Sequence, residues 1–127
     1  MADTERMREH PTSRFSGAIH AYNLAEELRI LRNESRPAGG GHRQITMVQR
    51  GMVTQVLFSL DAGAALPMHA AHGLVTIQAL EGTMMVLADD HDHKLTPGCM
   101  LVLDTDMPHD VRALTDSTML LTVHLYL

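Results

Sequence analysis

From residue 42 onward the apolar positions come in short runs, each closed by Gly, Pro or Asp. The runs cover residues 44–50, 53–60, 74–80, 83–88, 93–95, 100–103, 109–114 and 118–126. Between them stand Gly51, Asp61 to Gly63, Gly82, the acidic stretch 89–92, and Pro97 with Gly98. Short runs divided by turn residues predict the strands of a β-sandwich or closed barrel. Helix-length periodicity is missing from this part, which argues against a parallel α/β sheet. Before it, Leu24, Leu28 and Leu31 recur at i, i+4, i+7, while Glu27, Arg29 and Arg32 fall on the other face. Asn23 can cap that segment, and Glu26 stands three residues on, as a capping box requires. One short amphipathic helix over about 23–34 is therefore expected, and it needs a surface to lie on.

The remaining segments set the organisation. Residues 1–17 are polar with mixed charge and Pro11, and are expected to form a flexible tail. The run Ser35-Arg-Pro-Ala-Gly-Gly-Gly41 is a loop that divides helix from barrel. The chain thus reads as a tail (1–17), a helix with its Gly-rich loop (18–41) and one barrel (42–127). The last strand, 119–127, is apolar on both faces. A strand so patterned is covered on both sides, so a homodimer through an outer sheet is expected.

Composition narrows the class. The chain has 127 residues, 45% of them hydrophobic and 20% charged, which suits a single soluble domain. No run approaches the ~20 apolar residues of a membrane helix. The first residues hold no apolar block of the kind a signal peptide needs. A lone cysteine, Cys99, excludes an internal disulfide and fits a reducing compartment, so the cytoplasm is expected. The net charge of −5 is uneven: residues 1–50 carry +2 and residues 51–127 carry −7. So acidic a barrel repels nucleic acid and anionic lipid, leaving a small molecule as the expected partner.

Two stretches have the same form of turn glycine, strand and histidine. One runs from Gly63 through His69 to Gly82; the other runs from Gly98 through Pro108 and His109 to Val111. The pair resembles the two sequence motifs of the cupins, and the resemblance covers roughly residues 42–127. It implies an all-β fold: a single double-stranded β-helix, or jelly-roll, barrel with a short N-terminal helix. It also implies a divalent transition metal (Zn, Fe, Ni or Mn) held by histidines and an acidic residue. Carried over position by position, His69 and His109 match. The second histidine of the first motif falls on Ala71 and the acidic residue on Val75. His72, one place late, is the expected third ligand if a bulge at Gly73 re-aims it. The expected metal ligands are therefore His69, His72 and His109, about the three that an open metal site needs.

Other candidates carry less. His10, His20 and His42 fall in or near the tail and loop; His91 and His93 flank Asp92 in an acidic turn expected to be an exposed hairpin tip. Strict alternation turns Gln78, Arg112 and His124 outward. Five methionines (Met68, Met84, Met85, Met100 and Met107) lie in or beside the motif strands, as core filler or as an adaptable pocket lining. Two functions follow. One is a metal-dependent enzyme of oxygenase or isomerase type acting on a small molecule. The other is a metal-free small-molecule-binding or sensor protein, without catalysis, in which the histidines anchor a ligand by hydrogen bonds.

Overall fold

The computed structural model describes residues 17–34 and 39–127. The expected tail, apart from Gly17, lies outside the described residues, as does the 35–38 part of the Gly-rich loop. Helix α1 (Leu24–Arg32) is capped as its sequence requires: the Asn23 side chain accepts from the Glu26 backbone N–H at 3.2 Å. Only half of the capping box forms, because the Glu26 carboxylate takes Arg29 one turn on, at 2.6 Å. Leu28 and Leu31 are buried. They pack with Ile45, Met47 and Leu57 against one sheet.

Nine strands follow: β1 (His42–Arg50), β2 (Val53–Leu60), β3 (Ala65–His69), β4 (Gly73–Glu81), β5 (Met84–Ala88), β6 (His91–Leu95), β7 (Met100–Leu103), β8 (His109–Ala113) and β9 (Ser117–Leu125). They pair antiparallel in a five-stranded sheet, ordered β1-β2-β9-β4-β7, and a four-stranded sheet, ordered β3-β8-β5-β6. This is the jelly-roll architecture expected. The main core lies between the sheets: Val56, Phe58, Val75, Ile77, Val86, Val111 and Met119 alternate inward from their strands. Gln78 and His124 are exposed, as alternation predicts.

Two expectations give way. β6 begins at His91, two residues before the expected run 93–95, so His91 and His93 both lie in the strand and neither is at the hairpin tip. The turn needs only Asp89 and Asp90, both at positive φ (53° and 60°), as a two-residue hairpin turn demands. Gly73 makes no bulge: it pairs in register with Leu125. A Cβ there would meet the His124 carbonyl oxygen at 2.2 Å, so its glycine serves the close approach of β4 and β9. The bulge that matters lies in β3. Pairing jumps from Leu66↔Val111 to His69↔His109, so three steps along β3 match two along β8.

Candidate functional site

That bulge decides where His69 points. Leu66 packs against the main core. Plain alternation from it would turn Met68 inward and His69 outward. The extra residue restores His69 to the face of Leu66, and Pro67 suits both an edge strand and a bulge. On β8, His109 shares its face with the buried Val111 and Ala113. The two imidazoles thus meet with ring centroids 4.3 Å apart and planes inclined at 58°.

Both rings are held alike. His69 Nδ1 lies 2.9 Å from the Pro67 carbonyl oxygen, and His109 Nδ1 lies 3.0 Å from that of Met107. A carbonyl only accepts, so each Nδ1 carries a proton, and in the neutral ring Nε2 is the acceptor. The rings differ in exposure. His69 is exposed, whereas His109 is 0% exposed. The His109 Nε2 atom is buried with no hydrogen-bond partner. Burial pushes the His109 imidazole below its ordinary proton affinity. The Met107 bond and Asp110 partly offset this, and neighbouring His69 adds to it.

His72 does not join them. It is exposed on the loop after β3, with Nδ1 3.3 Å from Asp106 Oδ2 and 3.2 Å from Thr105 Oγ1. The Asp106 N–H donates to the Ala71 carbonyl at 2.8 Å, and the Tyr126 N–H to the His72 carbonyl at 2.9 Å. His72 therefore ties the β3–β4 loop to the β7–β8 loop. Ala71 packs against the main core and Val75 is buried in it, so the positions of the two remaining family ligands are apolar. Among the described residues no group of three His, Cys, Asp or Glu is placed to hold a metal ion. His91 lies in the same cross-strand row as the pair, beyond Ala88, with its Nδ1 on the Asp89 carbonyl.

The surroundings are mostly apolar, with two carboxylates at the edge. Leu66, Ala71 and Met107, close in sequence to the two histidines, are half-buried against the main core, as is Leu101. A cavity of about 240 Å³ lies where the two histidine strands end, lined by Met68, Leu87, Ala88, Asp89, Asp90, Met107 and Pro108. Arg112 turns outward, as expected, to Asp92 and Asp110. Cys99 is exposed and free. The carbonyls of Pro67 and Met107 and the β3 bulge escaped sequence reasoning; Pro67 inside a strand was the available sign of the bulge.

Comparison with known proteins agrees with this architecture. The family profile described as "Cupin domain" matches residues 56–125. Among solved structures, a conserved protein of unknown function from Streptococcus pyogenes is 22% identical at a TM-score of 0.69, covering 87% of this chain and 91% of that one. An RmlC-like cupin protein from Desulfovibrio desulfuricans is 26% identical at a TM-score of 0.68, covering 84% and 97%. A variant of salicylate 1,2-dioxygenase from Pseudoaminobacter salicylatoxidans is 19% identical at a TM-score of 0.73, covering 94% of this chain but 39% of that one. No functionally curated protein matches the chain.

Proposed function

The chain belongs to the cupin family, and on that footing we propose that it binds a small molecule against the His69–His109 pair without a resident metal. One observation carries this reading: the buried, unpartnered Nε2 of His109. A buried polar atom left unpaired is costly, and such an atom in a native fold calls for a partner. Here that partner is the ligand. His109, locked by Met107, would accept a hydrogen bond from it. His69, exposed and carried on an edge strand, is the wall that can move to admit it. Leu66, Ala71 and Met107 would enclose its apolar part.

A divalent ion is the second reading, favoured by the way both rings spend Nδ1 on a carbonyl and present Nε2, as metal-bound histidines do. The donor set does not fit a resident ion. Two imidazoles are one short of the usual three, and His72 is engaged by Asp106 and Thr105. Metal analysis of untagged protein separates the readings. We expect far less than one ion per chain after dialysis, together with small apolar compounds that shift the His109 ring resonances. One tightly held ion per chain, lost in His69→Ala and His109→Ala, would overturn the metal-free reading.

A further inference from the structure

We infer that the ligand of this pocket is not an anion and donates an O–H or N–H to His109 Nε2, and that the pocket rejects look-alikes that only accept. The inference rests on the binding reading above. The Met107 carbonyl, 3.0 Å from Nδ1, fixes the proton on that nitrogen. Nε2 is then an acceptor, and turning the ring over would strand the carbonyl. Because Nε2 is already out of water, a donating ligand makes its bond without first stripping a solvent molecule from the protein. An acceptor-only ligand would face lone pair with lone pair. Sites built this way discriminate strongly, because the wrong ligand leaves a buried polar group unpaired.

The charge layout excludes anions in the same way. Among the described residues, Arg29 and Arg32 pair with Glu26 and Glu81, and Arg112 with Asp92. Arg43 and Lys94 stand opposite Ser59 and Met85 on the outer faces of their sheets, and Arg50 donates to the Gly17 carbonyl. Among the described residues no Arg or Lys is placed to meet a carboxylate laid beside His109, where burial would leave its charge poorly compensated.

Near-isosteric probes test this on the unmodified protein. Indole and benzofuran differ in N–H against O; phenol and anisole differ in O–H against O-methyl. Dissociation constants and the His109 Nε2 resonance would be followed together by nitrogen-resolved NMR. Indole and phenol should bind about tenfold or more tighter than their partners and move that resonance, and benzoate should bind more weakly than phenol. Equal binding of indole and benzofuran, both moving the resonance, would overturn the donor requirement and leave the pocket standing. If no probe moves it at millimolar concentration, the binding reading fails and takes this inference with it. His109→Leu, if it folds, should bind indole and benzofuran alike; retained selectivity in that variant would place the donor's partner elsewhere.

Discussion

A neutral imidazole sealed in an apolar barrel ties stability to pH. Burial holds His109 below the ordinary histidine value of 6.5, so the unfolded chain takes up a proton that the folded one refuses. Above about pH 6.5 neither state is charged at this residue, and its contribution is whole. As pH falls through 6.5 stability should decline, by at most ~1.4 kcal/mol per pH unit, until the folded value is reached. Urea midpoints between pH 5 and 7.5 should show the decline in the native protein and a flatter profile in His109→Leu. Gly73 makes a second test at this scale. A Cβ there meets three backbone atoms, the carbonyl oxygen and carbon of His124 and the Leu125 Cα, none of which can swing aside as a side chain would. Gly73→Ala should cost about 2 kcal/mol. An unchanged midpoint would mean that β9 shifts freely. His69 and His109 were legible because each follows its turn glycine at the family's spacing. The place of His72 was not, since one residue of offset in a loop says nothing about which neighbour its ring will choose.

The helix shows how a local pattern can be read well and still mislead in detail. Three leucines at helical spacing predicted α1, and two of them are buried against β1 and β2. Leu31→Ala, at a side chain 1% exposed, should cost about 2–5 kcal/mol. Asn23→Ala should cost about 1 kcal/mol. Equal losses from the two would argue that the helix contributes by its own propensity rather than by packing. The reciprocal half of the capping box was a fair expectation, but Arg29 lies one turn on and claims the carboxylate. β6 was only partly legible: residues 93–95 read as a strand run, while its first two residues, His91 and Asp92, read as an acidic turn because Asp92 and Lys94 point outward. The tie through His72 is exposed, and His72→Ala should change stability by less than about 1 kcal/mol.

At the scale of the molecule, the outer face of the five-stranded sheet is only partly covered. Leu120 and Leu80 pack under the helix cluster. Further along the same sheet, Val102 and Met100 remain 53% and 58% exposed opposite Thr76 and Gln78. A second copy laid on this strip is the expected cover. Sedimentation at micromolar concentration should give twice the mass of one chain, with roughly 1,200 Å² or more buried; Val102→Lys should shift it to one. A native protein of single-chain mass would remove the expectation. The jelly roll itself was legible because strand runs and turn residues alternate so regularly, whereas which faces meet which depends on pairings between distant strands. Among the described residues no helix is long and apolar enough to cross a membrane.

The irregularity in β3 turns the pocket into a matter of how the chain is threaded. Removing Met68 would leave His69 two places from Leu66, and a strand in plain alternation would keep it on the inner face with no bulge at all. Keeping all three steps in a flat strand would instead turn His69 into solvent with His109 alone inside. Two chains of this fold can therefore carry the same histidines at the same spacing and differ in whether they have a site at all. Whether the strand bulges between Leu66 and His69 is what tells them apart.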